Sequence, residues 1–171
     1  SKLFKPDPNK ERKNHVLKVA NDFVGRGNIL GYDLFRRVTD GLPVRIVGET
    51  PGLSLPAKDL DDLINEYQTS RISINTAHMS PVPYSVLESS CCGAVLVSLD
   101  VCALREFYTD GEDSFLCKNE KDMRGKLELL LNDRDLAEKM SKKAITNIAH
   151  KCNLDRFCYE WNQIFGMVVE K

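Results

Sequence analysis

Several residues of this chain have the types and spacing to handle a phosphate. Arg26 stands between Gly25 and Gly27. Flanking glycines let the backbone come close to a ligand, and a guanidinium can fork two phosphate oxygens. Turn arginines are ordinarily solvated, so the glycines are what single this one out. Gly48 and Glu49 close a second apolar run. Farther on, PVPYSVLESSCCG (residues 81–93) reads as a proline-rich loop, a helix start near Pro83, one glutamate, Glu88, and a closing glycine, Gly93. Such a helix offers free N–H groups, those of Tyr84 and Ser85, and its positive dipole end to an anion. Glu88, about a turn and a half inside, can accept hydrogen bonds from a ribose diol. The plain alternative is a well-capped helix that binds nothing, with a solvated glutamate. His78 and Ser80, in the loop before this helix, add a side chain that titrates near neutral pH and a hydroxyl. A loop histidine is more often a surface residue than an acid–base group.

Other chemistries lack support. No GxxxxGKS loop and no GxSxG elbow is present, and Gly25-Arg26-Gly27 is only a fragment of a glycine-rich fingerprint. The six cysteines, Cys91, Cys92, Cys102, Cys117, Cys152 and Cys158, form no CxxC pair and no zinc spacing with histidine. Neither a metal nor a cofactor is expected. Thiols at helix and strand ends act as small hydrophobes, which fits a reducing, cytoplasmic setting.

These candidates need a scaffold. The 171 residues suit one domain with a proper core, and 42% hydrophobic with 29% charged residues is ordinary for a globular chain. A net charge of −1 argues against a nucleic-acid binder. No apolar run nears the roughly 20 residues of a membrane span. The opening Ser1-Lys2-Leu3 has no initiator Met or signal pattern and reads as an artificial boundary. Residues 1–13 are expected to be a linker or extension and 14–171 the folded domain. Strands are predicted at His15 to Ala20, Pro43 to Val47, Arg71 to Asn75, Ala94 to Ser98 and Ser114 to Cys117. Gly25 to Asn28 reads as a loop. Helices are predicted at Tyr32 to Asp40, Lys58 to Thr69, from Pro83 through Glu88, Ala103 to Tyr108, Glu120 to Leu131, Arg134 to His150 and Leu154 to Met167. This alternation calls for a Rossmann-like three-layer α/β/α domain around a parallel sheet of about five or six strands. Ligands of such sheets sit outside the C-terminal strand ends, where the candidate loops gather.

In order along the chain, these pieces resemble the C-terminal, donor-binding domain of a GT-B glycosyltransferase of the group 1 (family 4) type. Leu3-Phe4-Lys5-Pro6 resembles the Phe-x-Pro element after the interdomain linker. Arg26 resembles the basic loop that holds the nucleotide diphosphate, and PVRIVG, ending at Gly48, the second strand with its glycine. LESSCCGAVLVSLD, residues 87–100, resembles the family's LEAMACGxPVV segment, with Glu88 matching the glutamate that binds the donor ribose. Arg105-Glu106, Asp110-Gly111 and Ser114-Phe115-Leu116 resemble the stretch that follows. Residues 133–165 resemble the terminal helices that pack towards the N-terminal domain.

The resemblance implies a hexosyltransferase that moves a sugar from a nucleotide-sugar to an acceptor held by an absent N-terminal domain. Arg26, Gly27, Gly48, Tyr84, Ser85 and Glu88 would hold the donor, and Ser80 with His78 would line the sugar end. The isolated chain would transfer nothing. Three features depart from the pattern. Ser80 stands where the first glutamate of a pair belongs, no lysine follows Arg26, and the chain between Gly48 and the third strand is short. A divergent member, a degenerate relative that only binds a nucleotide or a partner, and a Rossmann-like domain for another ligand all remain as readings.

Overall fold

The computed structural model describes residues 3–169; the expected boundary at Ser1-Lys2 lies outside them. Five strands, β1 (Lys13–Val19), β2 (Val44–Val47), β3 (Ser70–Asn75), β4 (Val95–Leu99) and β5 (Ser114–Cys117), form one sheet. All pair in parallel, in the order β2-β1-β3-β4-β5. The predicted alternation is thus borne out, with five strands. The chain steps outward from β1 to β2, then crosses back to build β3 on the other side of β1. The direction of winding reverses between β1 and β3, which opens a crevice at their C-terminal ends.

Strand alternation divides the core between two faces. On one, Val16, Ile72, Ile74, Val95 and Val97 pack against Phe35 and Val38 of α2 (Tyr32–Thr39) and against Met123, Leu127 and Leu130 of α6 (Glu120–Asn132). On the other, Leu17 meets Tyr67 of α3 (Leu60–Thr69), while Leu96 meets Val86 of α4 (Tyr84–Cys91) and Ile148 of α7 (Arg134–Lys151). Ser114 Oγ is the one buried side-chain oxygen or nitrogen among the described residues without a hydrogen-bond partner.

Helix starts follow their caps. α3 begins at Leu60, two residues later than predicted, because Asp59 takes the N–H of Asp62 at 2.8 Å. Asn119 and Asp133 cap α6 and α7 in the same way. The short α5 spans Leu104–Phe107 and α8 spans Leu154–Val169. One predicted loop differs: Gly27–Leu30 closes a single helical turn, α1. Gly31 ends it at φ 70, a left-handed conformation that favours glycine.

Residues 3–12 form no helix or strand, yet they are tied to the domain. Lys10 Nζ donates to Gln68 Oε1 at 2.8 Å, and the Arg12 guanidinium donates to the carbonyls of Ser70 and Cys92. That anchorage extends β1 back to Lys13, which pairs with Ser70.

Candidate nucleotide site at the switch between strands 1 and 3

A cavity of about 230 Å³ opens where the winding reverses, lined by Lys18 to Asn21 of β1 and its loop and by Ser73 to Asn75 of β3. Arg26, Ser80, Pro83 and Ser85 lie on its rim beside the apolar Leu30, Ala77 and Val86. Three of the residues singled out from sequence, Arg26, Ser80 and Ser85, therefore meet at one place. Arg26 is exposed and, among the described residues, its guanidinium joins no ion pair or hydrogen bond. Its charge is available to a ligand.

The turn that carries Arg26 is held from both sides. Arg26 N–H bonds the carbonyl of Asp22 at 2.9 Å, and Phe23 N–H bonds the buried Thr50 hydroxyl at 3.0 Å. From the loop after β3, the Thr76 hydroxyl donates to the Leu30 carbonyl at 2.8 Å and His78 N–H to that of Ile29 at 3.0 Å. A Cβ on Gly31 would collide with the Thr76 carbonyl, so a glycine is needed for this approach. Gly48, also outside the rim, has φ 135 and abuts the Ala20 carbonyl, and Glu49 N–H bonds Asn21 Oδ1 at 2.8 Å. Gly48 thus acts by drawing the β1 and β2 loops together.

α4 starts beside the cavity as predicted, with Pro83 at its N-cap and no side chain capping it. The first N–H groups of a helix have no helical carbonyl to meet, so Tyr84 and Ser85 present donors at its positive end. The Tyr84 side chain itself is 81% exposed. Glu88 is half-buried and absent from the cavity rim; its Oε2 accepts from Tyr67 at 2.9 Å. His78 and Gly27 line an adjoining shallow depression together with Gly31, Asp33 and Lys118.

Sequence reasoning missed Lys18, Asn21 and Asn75. Asn75 Nδ2 donates to Ser98 Oγ at 3.1 Å and its Oδ1 accepts from Ala77 N–H at 3.2 Å, which fixes the floor. Lys18 is 4% exposed, with Nζ 4.9 Å from the centre of the Phe23 ring, and burial pulls it down to about 7. Its signal was legible, since a lysine interrupts the apolar run HVLKVA. Among the described residues, no group of three or more His, Cys, Asp or Glu side chains is placed to share a metal ion, and no helix is long and apolar enough to cross a membrane.

Residues 54–147, more than half of the chain, match the family described as Glycosyl transferases group 1. The match takes in Ser80 and Glu88 but not Lys18, Arg26 or Gly48. No curated protein sequence matches. The crystal structure of TarM superposes with TM-score 0.77 at 17% identity, over 96% of this chain and 37% of TarM. Sucrose-phosphate synthase from Thermosynechococcus elongatus gives TM-score 0.77 at 14% identity, over 99% of this chain and 50% of that enzyme. The C-terminal domain of the group 1 glycosyl transferase LpcC from Francisella tularensis gives TM-score 0.71 at 14% identity, with 90% and 97% covered. This chain therefore spans half or less of TarM and the synthase, but nearly all of the isolated LpcC domain.

Proposed function

The chain belongs to the glycosyl transferases group 1 family, and from that membership we propose that it is the nucleotide-sugar-binding, C-terminal half of a two-domain GT-B hexosyltransferase of the family 4 type. The observation that carries this reading is the convergence of Arg26, Ser80 and the uncapped start of α4 on one cavity at the sheet's switch point. A similar structure, that of HepE from Anabaena, is described in complex with UDP.

In this reading the diphosphate lies between Arg26 and the amides of Tyr84 and Ser85. As the bond from the sugar's anomeric carbon to the diphosphate breaks, the electron pair stays on the leaving oxygen. Fixed donors aimed at that oxygen stabilise the growing charge without reorganising. No metal is needed for this. Ser80 and the nearby His78 flank the sugar end, and Glu88 reaches the ribose. The acceptor comes from a separate N-terminal domain, so this chain alone binds the donor weakly and transfers nothing. Residues 1–13 lead in from that domain, and 14–171 form the donor half. The six free thiols support a reducing, cytoplasmic setting.

The test is a titration with UDP, GDP and ADP, repeated on Arg26→Ala and Glu88→Ala. Binding that weakens in both variants supports the reading. Failure of every nucleotide to bind, or binding indifferent to both changes, sinks it. A second reading, a degenerate relative that binds without transferring, is favoured by one observation: among the described residues no carboxylate lines the cavity, Ser80 standing where the family pairs its first glutamate. Sugar transfer or donor hydrolysis by the full two-domain protein decides between them.

A further inference from the structure

Lys18 lies near the end of β1 with only 4% of its surface exposed. Taking an ammonium out of water costs far more than a ring beneath it returns. Phe23 therefore does not compensate this lysine. Among the described residues no carboxylate pairs with Lys18, and burial alone accounts for its lowered pKa. Its partner in β2 is Ile46, and Val16, two residues back on the same face, is also apolar. Yet Lys18 lines the cavity that Arg26 overhangs, and the other residues of that lining carry no charge.

We propose that Lys18 is a phosphate-binding residue of this cavity, the second cation that, with Arg26, holds the diphosphate of a nucleotide-sugar. The assignment rests on the donor-site reading above. It supplies from inside the strand a cation that the sequence after Arg26 lacks. An incoming diphosphate is the partner the ammonium is missing, so binding draws it into the charged form and takes up a proton. Burial sets Lys18 at about 7, with no contribution from carboxylates among the described residues.

Calorimetric titration of this chain with UDP-, GDP- and ADP-sugars, in buffers of different ionisation enthalpy, tests the idea. The diphosphate diester of such donors has no ionisation near neutrality, so any proton taken up goes to the protein. We expect uptake of about half a proton at pH 7, rising towards one by about pH 8, from the starting value of about 7. Lys18→Met should abolish the uptake and weaken binding roughly ten- to hundred-fold, as for a lost hydrogen bond to a charged group. Per bound nucleotide-sugar, the uptake should persist in His78→Gln, whatever that change does to affinity. Should Lys18→Met fail to fold, the unaltered chain and His78→Gln still decide the matter through proton uptake. Binding without proton uptake overturns the role of Lys18 and leaves the donor site standing. If no nucleotide-sugar binds at all, the donor-site reading falls and this assignment with it.

Discussion

The hydroxyl of Tyr67, near the end of α3, donates to Glu88 Oε2 in α4 at 2.9 Å. Tyr67 is 1% exposed and meets Phe4 edge-on at 6.1 Å between ring centres. Burial, reinforced by the Glu88 carboxylate, raises the phenol's pKa, so it stays protonated and keeps donating at neutral pH. Glu88 is thus oriented through one oxygen, the other having no hydrogen-bond partner among the described residues.

Tyr67→Phe keeps the ring and removes only the donor. Its expected cost is about 1.5–3 kcal/mol in urea unfolding, the range for one hydrogen bond to a charged group. Nucleotide affinity should fall less than in Glu88→Ala, because the carboxylate survives but loses its orientation. Equal loss in the two variants would mean that Tyr67 itself touches the ligand.

Gly48→Ala places a Cβ against the Ala20 carbonyl at a backbone conformation that L-residues rarely adopt. We expect roughly 2 kcal/mol or more of destabilisation, and weaker nucleotide binding as the β1 loop moves. Gly41→Ala is the control: its φ is also positive, 69, but nothing lies within 4 Å. There the cost should stay near 1 kcal/mol, about the strain of the left-handed conformation alone. Similar urea midpoints for the two variants would refute the close-approach argument.

Lys18 also has a signature in stability against pH. Its folded pKa, about 7, lies below its ordinary 10.5, so between those values the unfolded chain binds more protons and stability contributed through Lys18 rises with pH. Below pH 7 the penalty for burying the ammonium is fully present. Lys18→Met should therefore raise the unfolding midpoint at pH 6, with the advantage shrinking steadily towards pH 9. The difference between the two proteins isolates Lys18. The buried thiols Cys92 and Cys117, pushed up to about 12, act the other way above pH 9 in both. A constant difference across the range would refute the assignment.

α8 carries Phe157, Trp161 and Phe165 one turn apart, each at least 43% exposed. Its side chains from Leu154 to Met167 are all exposed. Ending the chain after Asn153 should change its melting temperature by no more than about 2 °C, since surface changes without burial lie within ~0.5 kcal/mol. Binding of a hydrophobic dye should drop. On the two-domain reading proposed above, the same deletion should be costly, α8 packing on the N-terminal domain as the family resemblance implies.

Much of this was legible locally. The alternation of apolar runs with amphipathic stretches and the stop at Gly41 act within a few residues of themselves, whereas the turn α1 with Gly31 and the Asp59 cap that starts α3 were missed. Sequence order therefore determined the elements, the parallel α/β class and the loops that had to gather at the strand ends. Gly25-Arg26-Gly27 and the start of α4 belonged to that reading, and both reach the cavity rim through Arg26 and Ser85. Their meeting point was decided only in three dimensions, because strand order sets where the winding reverses, and no local pattern encodes that order. It brought Arg26 beside Ser80, set His78 in a neighbouring depression, and turned Glu88 towards Tyr67. Lys18 shows the division most clearly. Its place in an apolar strand could be read directly, but its burial without a partner depended on α2, α6 and the Phe23 loop closing over that face of the sheet.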